Sequence, residues 1–189
     1  MKIPFNTPRL RSFAALALAA PLLSTACSKK DPEPVDDNEV ITTVTYTLTP
    51  VGGGTPVAVT FRDPDGDQGS QPGVFSGALT LAAGTSYTGA ITLLDETKSP
   101  AENTTEEVRR ESDEHLLVYT VNPAGLLTIA RTDKDQNNLD VGLATTVQAG
   151  ATAGTGTLNI VLRHQPGTKD GTATSGTSDV NVTFPVTVQ

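Results

Sequence analysis

Residues 180–188 read Val-Asn-Val-Thr-Phe-Pro-Val-Thr-Val, with Val180, Val182, Phe184, Val186 and Val188 on one parity and Asn181, Thr183 and Thr187 on the other. Successive side chains of a strand point to opposite faces, so this run predicts a half-buried strand with one apolar and one wet side. Pro185 has no N–H to give to a ladder and predicts an edge or a bulge. The same period recurs upstream. Val44, Tyr46 and Leu48 alternate with Thr43, Thr45, Thr47 and Thr49, and Val57, Val59 and Phe61 follow a turn rich in glycine. Further alternating segments lie at 75–81, 87–94, 116–121, 126–132, 141–148 and 158–164. About nine short strands separated by Gly, Asn, Asp and Pro predict an all-β fold, a single antiparallel β-sandwich or small barrel. One short surface helix is expected within 105–115, where Thr104 and Glu107 have the spacing of a capping box. Residues 167–178 carry few apolar side chains and predict a mobile loop before the last strand.

The N-terminus has a different grammar. Residues 1–26 contain Lys2, Arg9 and Arg11 and no acid, and 13–23 (FAALALAAPLL) form an apolar run of 11. A basic stretch followed by such a run predicts a secretion signal, since a bilayer-spanning helix needs about 20 apolar residues. The run ends in Leu22-Leu23-Ser24-Thr25-Ala26-Cys27, and Cys27 is the chain's one cysteine. This resembles the lipobox of bacterial lipoproteins, with Ser24 where that pattern has leucine and Leu23 one step earlier. The resemblance implies cleavage before Cys27 and acylation of its thiol and amine. Two or three acyl chains hold a protein on a membrane where one does not. Residues 27–38 (CSKKDPEPVDDN) are charged and proline-bearing, the composition of an extended tether, and 39–189 are of a size for one domain.

Charge removes one class of function. The chain has 13 basic and 21 acidic residues, and without the leader ten basic residues remain. An acidic protein is repelled by phosphates, which argues against a nucleic-acid partner. No nucleophile elbow, P-loop or dinucleotide fingerprint is present, and the chain lacks tryptophan for stacking sugars. The expectation is a protein that is not an enzyme.

Two constellations offer metal chemistry. Asp63, Asp65 and Asp67 alternate in a glycine-containing loop, and Asp133, Asp135, Asn137 and Asp140 form a second such run. Alternate oxygens can converge on calcium, although Asp, Asn and Gly also serve ordinary turns. The two histidines make the other set. His164 falls on the apolar parity of its strand and His115 closes an acidic run that includes Glu114. Two imidazoles and a carboxylate, His115, His164 and Glu114, are a candidate transition-metal set for zinc or copper.

Segments 39–49 (EVITTVTYTLT), 61–67 (FRDPDGD), 86–97 (SYTGAITLLDET), 99–108 (SPAENTTEEV), 162–165 (LRHQ) and 182–189 (VTFPVTVQ) together resemble a family of short Gram-negative outer-membrane lipoproteins. That family is sometimes labelled "type 1 periplasmic binding fold superfamily" and has no established activity. The resemblance implies lipid anchoring at the outer membrane, on either its periplasmic or its extracellular face. With the residues above, it leads to the expectation of a non-catalytic binding or accessory protein, metal-linked and partnering an outer-membrane receptor. The alternative is a structural or adhesive surface module whose loops are stiffened by calcium.

Overall fold

The apolar parity of most strands turns inward between two sheets, the exception being the short, exposed strand Val74–Gly77. A computed structural model describes Lys2 and residues 38–65 and 72–189. In chain order the strands are β1 (Thr43–Pro50), β2 (Val57–Arg62), β3 (Val74–Gly77), β4 (Leu79–Leu81) and β5 (Ser86–Leu94). Helix α1 (Thr104–Arg110) follows, then β6 (His115–Asn122), β7 (Leu127–Arg131), β8 (Ala144–Ala149), β9 (Gly154–His164) and β10 (Thr177–Val188). One sheet has the order β3-β2-β1-β5-β8-β7 and the other β4-β10-β9-β6. Val44, Tyr46 and Leu48 of the first sheet share one core with Leu158, Ile160, Leu162, Val182 and Phe184 of the second. The fold is therefore an all-β sandwich rather than a barrel. No doubly wound α/β lobe occurs among the described residues. Each fully buried Leu, Val or Phe contributes roughly 1.5–3 kcal/mol, so stability rests on this layer without a disulfide.

Buried Tyr46 and half-buried Tyr119 keep their polar ends satisfied. Tyr46 and Thr145 share a hydrogen bond of 2.7 Å across the sheet, and Tyr119 donates to the Gly142 carbonyl at 2.6 Å. On the wet face Thr45 lies opposite Thr60, their hydroxyls 2.9 Å apart.

Several expectations change in detail. The run 75–81 is two strands: Gly77 takes φ +76, and a Cβ there would meet the Ala58 carbonyl oxygen at 2.3 Å. That glycine lets the chain leave one sheet and enter the other, where β4 pairs parallel to β10 in an otherwise antiparallel fold. β10 is not an edge strand throughout. It lies between β9 and β4, but β4 covers only Val186–Val188, so Pro185 sits where that side of the strand is otherwise open. The helix begins after Asn103, makes no side-chain cap, and ends at Arg110. Thr105 Oγ1 instead accepts from Leu93 N at 2.8 Å, fastening α1 to β5.

The loop before β10 is pinned rather than loose. Arg163 donates to the carbonyls of Ser175 and Gly176, and Lys169 Nζ lies 2.8 Å from Asp135 Oδ2 and donates to Ser112 O at 2.7 Å. Asp36–Gln189 forms one compact unit. The expected leader, Cys27 and most of the tether lie outside the described residues.

Candidate metal centre

His115 opens β6 and His164 closes β9, and the antiparallel register sets them directly opposite each other. Their inward parity follows from the strands: His164 continues Leu158-Ile160-Leu162, and His115 precedes Leu117. The rings stack with centroids 4.8 Å apart and planes 7° from parallel. Behind His164, Gly176 takes φ +73, and a Cβ there would stand 1.8 Å from the His164 carbonyl oxygen. Only glycine permits so close an approach.

Two carboxylates complete the cluster. Asp179 would face solvent by alternation, since Val180 and Val182 face inward. The ladder shifts between Ser178, opposite Arg163, and Val180, opposite Leu162. That extra residue is a bulge, a device that re-aims a side chain, and it turns the Asp179 carboxylate into the sandwich. Glu39 arrives from the segment preceding β1 and sets Oε1 2.8 Å from His115 Nε2. Asp179 Oδ2 lies 3.8 Å from the same nitrogen, while His164 Nδ1 is 3.9 Å from Glu39 Oε2 and 4.0 Å from Asp179 Oδ1. The His115 and Asp179 side chains are 0% exposed, with Glu39 at 6% and His164 at 7%. One donor atom from each of the four lies within 4.8 Å of all the others.

Zinc bonds of about 2.0 Å in a tetrahedron put donor atoms roughly 3.3 Å apart; an imidazole lone pair lies in its ring plane and the two planes are 7° from parallel, so closing this set on one ion requires at least one ring to rotate out of the stack. Two further contacts fit that chemistry. His115 Nδ1 is 2.9 Å from the Glu111 carbonyl oxygen, which keeps the proton on Nδ1 and leaves Nε2 as the donor atom. On His164 the outward nitrogen, Nε2, faces Glu114 Oε2 at 3.8 Å. Glu114 thus stands on the outer side of His164, apart from the four donor atoms that lie together. Glu39 and Asp179 take the carboxylate positions, and Glu39 Oε2 is buried without a hydrogen-bond partner.

Electrostatics couple the members. Burial pushes the Glu39 carboxyl upward, but the hydrogen bond and charge of His115, with a hydrogen bond to the Asp179 carboxyl, outweigh it and hold it below the usual range. Burial likewise disfavours the His115 imidazolium, yet contact with Glu39 and the charge of Asp179 leave its affinity for a proton raised. Two buried carboxylates need positive charge beside them, supplied by protonated imidazole or by a metal ion.

The aspartate loops differ. Asp133 accepts from Gly142 N and Leu143 N, both at 2.9 Å, and Asp135 Oδ1 accepts from Asn137 N at 2.8 Å and Leu139 N at 2.9 Å. Asp140 pairs with Lys134 and, at 3.7 Å, with Arg131, while the Asn137 side chain is exposed. These carboxylates are engaged by the chain's own donors, so the calcium expectation for the second loop gives way to a hydrogen-bonded turn. In the first loop Asp63 is buried and Asp65 exposed, and Asp67 lies outside the described residues.

Neither Glu39 nor Asp179 is recognisable as a ligand in the sequence. The bulge has no local signature, and Glu39 stands 76 positions before the histidine it meets.

No protein-family model matches the chain, and no curated protein matches it. Among solved structures it is similar to the S-layer protein SbsC, domains 4 and 5, with 14% identity over 76% of this chain and 75% of that one and a TM-score of 0.33. A likeness of that size carries no argument about function. No described helix is long and apolar enough to cross a membrane.

Proposed function

We propose that this protein is an exported, lipid-anchored, non-catalytic module that binds a divalent transition-metal ion of the zinc class through Glu39, His115, His164 and Asp179. The carrying observation is the convergence of two imidazole nitrogens and two carboxylates, all nearly sealed from solvent, with the His115 ring fixed by the Glu111 carbonyl. Four protein ligands fill a tetrahedral shell and leave no open position for a substrate, the arrangement of binding rather than catalysis. Zinc is favoured over calcium because the donors include nitrogen, whereas calcium takes oxygen ligands in larger number. In this reading the ion is held beside the outer membrane, and an outer-membrane receptor or other surface protein is its recipient.

Calorimetric titration of chelator-treated protein with zinc, then calcium, tests this. Zinc is expected to bind with release of protons, seen as heats that change with the buffer's ionisation enthalpy. His115→Ala and His164→Ala should abolish binding, and Asp179→Asn should weaken it, because a neutral amide replaces a charged carboxylate ligand. Absence of zinc heat in the native protein would sink the metal reading and leave a structural surface module in its place.

A further inference from the structure

The geometry points to an acidic cleft as the entrance through which a hydrated divalent cation reaches the buried cluster, which makes the metal exchangeable rather than locked in at folding. This rests on the metal reading above. The cleft, of about 330 Å³, lies between the segment Asn38, Glu39 and Val40 and the helix α1. Its walls carry the carboxylates of Glu39, Asp95, Glu102, Glu107 and Glu111 against one ammonium, that of Lys98. Glu39 belongs to both places: it lines the cleft and ligates in the cluster, where its buried Oε2 has no hydrogen-bond partner. The cluster's exposure lies at Glu39 and His164, since His115 and Asp179 are fully covered.

The carboxylates of the cleft act on one another. Burial and the charges of Glu111, Glu39 and Glu102 together raise the proton affinity of Glu107 against the pull of Arg110, whose Nη2 is 3.9 Å away. Not every acid there is equally free to meet a cation, because Asp95 Oδ1 already accepts from the Thr97 amide and hydroxyl. Glu102 and Glu107 remain, with Glu111, as side chains that can draw a cation inward before Glu39 takes it. A cleft of one sign between low-dielectric walls concentrates field and raises association rates by about 10 to 1,000-fold.

Stopped-flow mixing of the full chain, freed of metal, with cobalt(II) follows association through the visible absorbance of the bound ion. At low salt Glu102→Gln/Glu107→Gln should slow association about 5- to 10-fold, and Lys98→Gln should speed it, with the final absorbance unchanged. In about 1 M salt, where the screening length shrinks to about 3 Å, the variants should converge on the native rate. If the native protein gives no cobalt spectrum and no zinc heat, the metal reading falls and takes the entrance with it. If the native protein binds but the double variant binds equally fast at low salt, the entrance alone falls. It falls too if Glu114→Gln, on the His164 side, slows association and the double variant does not.

Discussion

Asp179 reaches the interior because β10 carries one residue more than β9 at that point, and Glu39 reaches it from outside the strand pattern altogether. The site is therefore half legible in the sequence. The inward parity of His164 can be read from Leu158, Ile160 and Leu162, and the scarcity of histidine pairs His164 with His115. The carboxylate nearest in sequence, Glu114, is the natural third member, yet it faces the outer nitrogen of His164. Sequence proximity favours neighbours along the chain, whereas register across three strands brings His115, His164 and Asp179 together and the segment before β1 adds Glu39. The protonation of this cluster has a direction that can be checked. His115 binds its proton more tightly than its ordinary value of 6.5, so its contribution is full below that pH and is lost as pH rises through the raised value. Glu39 is held below its ordinary 4.5, so its contribution is full above that pH and is lost as pH falls through the lowered value. Metal-free protein should thus be most stable to heat between about pH 4.5 and 6.5. Thermal unfolding should show the midpoint falling as pH rises above that window, and added zinc should restore more at neutral pH than at mildly acid pH, because the ion must displace a proton. A midpoint indifferent to pH across this range would contradict the pairing of Glu39 with His115.

At the scale of elements, the period-two runs locate almost every strand, because burial of one face enforces alternation and threonine suits the other face. What they do not mark is where a run changes sheet. The break at Gly77 depends on a left-handed backbone and a close approach to Ala58, neither of which leaves a trace in hydropathy. Loop composition misleads in the other direction. Residues 167–178 read as mobile because they are small and polar, but Lys169, 2% exposed, reaches Asp135, whose side chain is fully covered. The same bond explains why Asp135 serves a turn: its one oxygen receives two backbone N–H groups and the other receives the ammonium. Lys169→Met would leave that carboxylate covered and unpaired, and should cost about 3 kcal/mol in chemical denaturation, part of it regained in Lys169→Met/Asp135→Asn. A loss below about 0.5 kcal/mol, the size of an exposed pair, would mean that the loop stands open in solution.

For the whole molecule, the sandwich leaves the attachment question to the leader. The basic start, the apolar run and Cys27 predict a protein that fractionates with membranes through acyl chains alone. Cys27→Ser should move it to the soluble fraction and abolish labelling by radioactive palmitate. Continued sedimentation with membranes would point to a different means of attachment. Synthesis delivers the four residues of the proposed metal site in a fixed order: Glu39 first, His115 and His164 later, and Asp179 only with β10, the last strand. At about 5–20 residues per second the first and last ligands are separated by on the order of ten seconds of translation. Until β10 docks beside β9 there is no fourth ligand and no bulge to aim it, so ions present around the growing chain find an incomplete cage. The cage proposed here is therefore first complete in the compartment where the final strand closes the sheet, and the ions of that compartment are the first it can meet.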